Sequence, residues 1–199
     1  MTSIYFVRHA QPDFSWAEDL TRPLTAEGEQ DSKEVTKALK SIHLDFAFCS
    51  PYKRSMDTIK ETVAEHNLII HTDFRLRERE KGKNGNVYGM FQRRWNDFDY
   101  HEDGGECLRS VQNRNIEALL EVLDTHKNES IIWGTHGTAL STILNYFDNS
   151  FLCDGFLRII DFMPYIIRID FDGKILVAKE ELLIIEKEFK GSNRADKKD

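Results

Sequence analysis

The apolar positions of this chain come in short runs that alternate with stretches of helical spacing. Ser3 to Val7 is an apolar run that stops abruptly at Arg8-His9, which predicts a buried strand. Thr21 to Gly28 is turn-like, with Pro23 and Gly28. From Glu29 to Ile42, Val35, Ala38, Leu39 and Ile42 fall on one helical face and charges on the other. Asp45 to Cys49 predicts a second strand. Ser50-Pro51 then has the chemistry of a helix start, since serine caps free amides and proline suits the first helical position. A helix over Tyr52 to His66 follows, then a third strand over Leu68 to His71. Val111, Ile116, Leu119, Leu120 and Leu123 predict a helix over Glu106 to His126, followed by a strand at Ser130 to Trp133 and a helix at Gly137 to Phe147. Tyr165 to Phe171 and Lys174 to Ala178 flank Asp172-Gly173, a hairpin turn signal.

Residues 79–105 break the alternation. They hold Gly82, Gly85, Gly89, Gly104 and Gly105, with Tyr88, Phe91, Trp95, Phe98 and Tyr100 between them. Segments of this length without regular structure tend to be functional or disordered, and the aromatics oppose disorder. A short helix over a pocket is expected. The aromatics then serve as a substrate lid or as satellite core under a loop, and sequence does not choose between these. Lys190 to Asp199 is polar and charged, the pattern of a frayed tail. The expectation is a single domain over residues 1–189, with 79–105 as a lid or insertion and 190–199 as a flexible tail. Its class is α/β: a three-layer sandwich with a mostly parallel central sheet, helices on both faces and an antiparallel C-terminal hairpin.

Composition narrows the partners. Of 199 residues, 40% are hydrophobic and 31% charged, an ordinary globular balance. The net charge of −7 provides no broad field for nucleic acid or anionic membrane, although a local basic pocket remains compatible with it. Cys49, Cys107 and Cys153 are odd in number and widely spaced, which suits free thiols in a reducing compartment. The start MTSIYFVRHA lacks a signal-peptide pattern, and no apolar run approaches the ~20 residues that span a bilayer. A cytoplasmic protein is expected, with no nucleic-acid or membrane partner. No sequence feature sets its oligomeric state.

In sheets of this kind ligands bind beyond the carboxyl ends of the strands. That rule selects Arg8-His9, Ser50 and Gly134 to Gly137. A lone Arg-His pair is commonly structural. A second histidine after another strand, in Gly134-Thr135-His136-Gly137, strengthens a functional reading. Flanking glycines let backbone approach a ligand, and the helix that follows offers free amides to an anion. Arg54 lies near the start of a helix and can point into the same crevice, whereas Lys53, about 100° away, points elsewhere. The competing fate for Arg54 is a solvated helix charge.

Together these segments resemble the histidine phosphatase (phosphoglycerate mutase-like) superfamily. The strand ending in Arg8-His9-Ala10 resembles its arginine-histidine-glycine signature. Pro23-Leu24-Thr25 with Gly28 resembles its proline-leucine-threonine turn, and Ser50 to Arg54 with Thr58 its serine-proline helix. Leu76-Arg77-Glu78 is similar to the segment bearing its acid, Gly105-Glu106 to a helix start, and Thr135 to Gly137 to its second histidine motif. The resemblance implies a metal-independent phosphomonoester hydrolase that needs no cofactor and acts on a small phosphorylated metabolite through a phosphohistidine. It implies that His9 is the nucleophile, that Arg8, Arg54 and His136 bind the phosphoryl oxygens, and that Glu78 is the proton donor. Glu80 and Glu106 compete with Glu78 for that last role. Ser15, a possible substrate contact, stands where many members carry asparagine. Ala10 replaces the usual glycine, Cys107 a common serine, and Asn86 to Met90 lacks the tryptophan-glutamate-glycine often found there. Two alternatives remain. The first is phosphoglycerate mutase activity, which the 136 − 9 = 127 positions between the histidines disfavour because mutases carry a longer insertion. The second is a non-catalytic phospholigand-binding member.

Overall fold

The computed structural model describes residues 1–83, 85 and 89–190. Among the described residues six strands form one sheet in the order β3-β2-β4-β1-β5-β6. The strands are β1 Thr2–Arg8, β2 Phe46–Cys49, β3 Ile70–Thr72, β4 Ser130–Thr135, β5 Phe162–Asp172 and β6 Ile175–Glu186. The first four are mutually parallel, while β5 runs antiparallel to β1 and β6 antiparallel to β5. The expected α/β class and terminal hairpin are therefore present.

Alternation within the strands builds two core layers. Ile4 and Phe6 of β1 join Ile131 and Trp133 of β4 on one face, beneath α4 (Leu108–Thr125) and α5 (Gly137–Phe147). Tyr5, Val7 and Ile132 face the other way, against Val35 and Leu39 of α1 (Ala26–Leu39) and Ile59 and Val63 of α2 (Lys53–Glu65). A smaller cluster of Trp95, Leu108, Phe156 and Ile160 joins α3 (Met90–Asn96), the start of α4 and α6 (Cys153–Ile159).

Three local expectations change. Ser50 does not cap α2: Tyr52 occupies that position without a side-chain cap, and Ser50 is turned to the crevice. Helix α6 was not expected, because the glycine in its seven residues masks the pattern. Strand β6 continues to Glu186, far beyond Ala178, because β5 supplies a hydrogen-bonding edge that propensity does not reveal. In residues 79–105 the expected short helix is α3. Tyr88, part of Asn86 to Met90 and all but Lys190 of the expected tail lie outside the described residues.

Candidate active site

Strand register brings the site together. Arg8 pairs with Thr135 across β1 and β4, and the His9 N–H donates to the Thr135 carbonyl at 3.2 Å. Cys49 of β2 pairs with Gly134 of β4, and the Ser50 N–H donates to the Gly134 carbonyl at 3.0 Å. His9, Ser50 and His136 therefore leave three neighbouring strands at one level. Gly134 is needed for this approach, since a Cβ there would lie 2.4 Å from Cys49 Sγ. At Gly137 a Cβ would come within 3.2 Å of the Arg8 guanidinium.

His9 is 5% exposed. Its Nδ1 lies 2.8 Å from the Ala10 carbonyl oxygen. That oxygen only accepts, so Nδ1 carries the proton and Nε2 keeps its lone pair. Arg54 Nε donates toward Nε2 at 3.3 Å, which agrees with this tautomer. Burial, together with the Arg54 and Arg8 guanidinium groups, holds His9 well below the ordinary imidazole value. Ala10 causes no backbone difficulty, because the positive φ values at non-glycine residues are at Asn67 and Asn128. Its N–H donates to Thr58 Oγ1 at 2.9 Å, tying the β1 end to α2.

His136 is fully buried. Its ring meets that of His9 edge-on at 5.2 Å, and its Nε2 lies 2.7 Å from Ser50 Oγ. Its Nδ1 is buried without a hydrogen-bond partner among the described residues. Burial, then Arg54 and His9, lowers this imidazole too. Both rings are thus neutral bases near pH 7.

One cavity of about 70 Å³ is lined by Arg8, His9, Arg54 and Glu78 together. Glu78 Oε1 accepts from the N–H groups of Arg79 at 2.8 Å and Ala139 at 3.2 Å, and Oε2 from Thr138 N–H at 3.0 Å. Its carboxyl thus sits at the N-terminus of α5. Glu80 is exposed, 3.4 Å from Arg77, and Glu106 is paired with Arg114 at 2.7 Å. Neither lines the cavity. Ser15 does not line it either: it is exposed, and its hydroxyl donates to Asp13 at 2.6 Å.

Several contributors escape sequence reasoning. Asp19 accepts from Arg22 Nη1, and its carbonyl accepts from Arg54 Nη1 at 2.7 Å, so one loop residue orients two buried arginines. Arg22 itself lines the cavity. Arg114 of α4 donates to the carbonyls of Arg75 at 2.6 Å, Arg77 at 2.7 Å and Glu78 at 3.3 Å, and so clamps the loop that carries Glu78. In the sequence Arg114 is only one charge in a helix read from its apolar positions, and nothing local ties it to Glu78. Among the described residues, no three His, Cys, Asp or Glu side chains converge as metal ligands. The fixed positive charge comes from arginine.

Residues 4–160 match the histidine phosphatase superfamily (branch 1). The chain belongs to that superfamily. It is 28% identical over 150 residues to phosphoserine phosphatase 1 of Hydrogenobacter thermophilus, covering 68% of this chain and 71% of that protein. It is 27% identical over 151 residues to an uncharacterized phosphatase, PhoE, of Bacillus subtilis, covering 72% and 76%. A mycobacterial glucosyl-3-phosphoglycerate phosphatase superposes with a TM-score of 0.73 at 14% identity, covering 94% of this chain and 99% of that one, a likeness of fold. Among the described residues, no helix is long and apolar enough to cross a membrane.

Proposed function

We propose that this histidine phosphatase hydrolyses a small phosphomonoester through a phosphohistidine on His9. The observation that carries the reading is the His9 imidazole. Its Nδ1 proton is held by the Ala10 carbonyl, its Nε2 keeps a lone pair that accepts from Arg54 Nε at 3.3 Å, and the residue lines a cavity shared with Arg8, Arg54 and Glu78. A neutral ring nitrogen can attack without a base to deprotonate it.

In the first step Nε2 bonds to phosphorus while the ester P–O bond breaks, and Glu78 in its acid form protonates the departing alkoxide. In the second step water attacks phosphorus, gives a proton to the Glu78 carboxylate, and the N–P bond breaks. Inorganic phosphate leaves and the lone pair returns to Nε2. Arg8, Arg54 and His136 hold the equatorial oxygens, where negative charge is spread in the transition state. Residues 1–189 act as one domain in this reading, with 79–105 covering the site. A cytoplasmic location fits the free thiols of Cys49, Cys107 and Cys153. The net charge of −7 opposes nucleic-acid binding.

The test is an acid-stable product screen over phosphomonoesters, with trapping of labelled protein at alkaline pH. Wild-type protein should release phosphate and carry label on histidine, and His9→Ala should do neither while keeping the wild-type circular dichroism. Turnover that survives His9→Ala overturns the proposal. With 3-phosphoglycerate and a bisphosphoglycerate primer, isomerisation faster than phosphate release would instead establish a mutase.

A further inference from the structure

The chain does not leave the molecule at the end of β6. The Lys187 N–H donates to the Asp161 carbonyl at 2.7 Å, and the Phe189 N–H to Asp161 Oδ1 at 2.9 Å. Lys187 Nζ reaches back to α1, 2.5 Å from Glu27 Oε1 and 3.1 Å from Asp31 Oδ2. These contacts fix a segment that would otherwise fray. They place the Phe189 ring edge-on against Phe14 at 5.3 Å and 89°, in the wall of the cavity that holds His9, Arg54 and Glu78. Phe189 also packs against the Trp95, Leu108, Phe156 and Ile160 cluster. The segment lies beyond residue 160, where the family match ends.

We propose that Phe189 is a specificity-determining residue. With Phe14 and Phe91 it forms an aromatic wall for the leaving group, so the site prefers phosphomonoesters whose leaving group is apolar and aromatic. The inference rests on the hydrolase reading above. All three rings line the cavity and all three are only partly buried. The nearby cations Arg79 and Arg94 are both paired with the buried Glu102, and their charge is engaged within the protein. Lys81 stands at the exposed rim. Phe14, Phe91 and Phe189 give this side of the cavity ring surface, with Arg22, which lies 5.9 Å from the Phe14 ring centroid and is paired with Asp19, and Lys81 as the cations beside it.

Benzyl phosphate and ethyl phosphate test this, because both are alkyl esters and differ chiefly in the ring. Wild-type protein should favour benzyl phosphate in kcat/KM. Phe189→Ala should lower kcat/KM for benzyl phosphate about threefold to tenfold, through KM, as expected for one aromatic contact. It should leave ethyl phosphate and inhibition by inorganic phosphate within about twofold. Phe189→Tyr should restore the benzyl preference. Lys187→Glu, which sets like charges against Glu27 and Asp31, should reproduce the loss without altering a cavity residue. Binding of benzylphosphonate against ethylphosphonate reads the same preference without turnover, and thermal melting checks folding. A wild-type protein with no benzyl preference in binding or turnover overturns the inference, and so does equal loss for both esters in Phe189→Ala. If neither ester is hydrolysed yet benzylphosphonate binds more tightly in a Phe189-dependent way, the wall stands and the hydrolase reading falls.

Discussion

Glu78→Gln separates the proton-transfer role of this residue from its structural one. Glutamine keeps one oxygen for the Arg79 and Ala139 N–H groups, but places an NH₂ where Oε2 accepts from Thr138 N–H. One part-buried donor at the start of α5 loses its acceptor, at a cost of about 1 kcal/mol of stability. Loss of the proton donor is a different quantity. General acid catalysis contributes roughly 10²–10⁴-fold, or about 3–5 kcal/mol of barrier. The expected outcome is a fall of that order in kcat for alkyl phosphates and a fall of less than about tenfold for p-nitrophenyl phosphate, whose leaving group departs without protonation. Steady-state kinetics on matched esters, beside urea unfolding of the same variant, reads both quantities. Equal slowing of alkyl and aryl esters would refute Glu78 as the acid, whatever the stability change.

Arg114→Met should retain the packing of α4 but release the carbonyls of Arg75, Arg77 and Glu78, so alkyl ester turnover should drop about tenfold or more and aryl turnover much less; a uniform drop would show that it does not act through Glu78. Gly134→Ala forces a Cβ to 2.4 Å from Cys49 Sγ, and overpacking of that kind should cost about 1–3 kcal/mol in chemical denaturation. The double variant with Cys49→Ala should recover part of this, and strict additivity would contradict the clash. For pH, the lowered His9 imidazole must be deprotonated in the folded state while the unfolded chain titrates near 6.5, so its contribution is complete above that pH and lost as pH falls below it. The loss of unfolding free energy between pH 7.5 and 5.5 should therefore be smaller in His9→Gln than in the wild type, and an unchanged loss would mean that His9 is not held neutral by burial.

Much of this protein is written locally. The apolar runs of β1 and β4 and the helical spacing of α1, α4 and α5 are set within a few residues, and all five elements are present in the folded chain, with α1 three residues earlier than expected at both ends. The motifs around His9, Arg54 and His136 are legible because each stands at a strand end or helix start that its neighbours announce, whereas Glu78 lies in a loop and is picked out only by resemblance to the family motif. Strand order was not legible. Seating β4 between β2 and β1 brings Ser50 to His136, makes Gly134 a point of backbone contact, and separates Glu78 from Glu80 and Glu106 as a cavity residue. Ser15, Asp19 and Arg22 share one polar loop, yet only Asp19 and Arg22 reach the buried arginine network. Arg114 and Phe189 act across 36 and 175 positions of chain or more, on Glu78 and Phe14. Such contacts depend on which surfaces the packed sheet brings face to face, and a local pattern of polar and apolar residues holds no record of its distant partner.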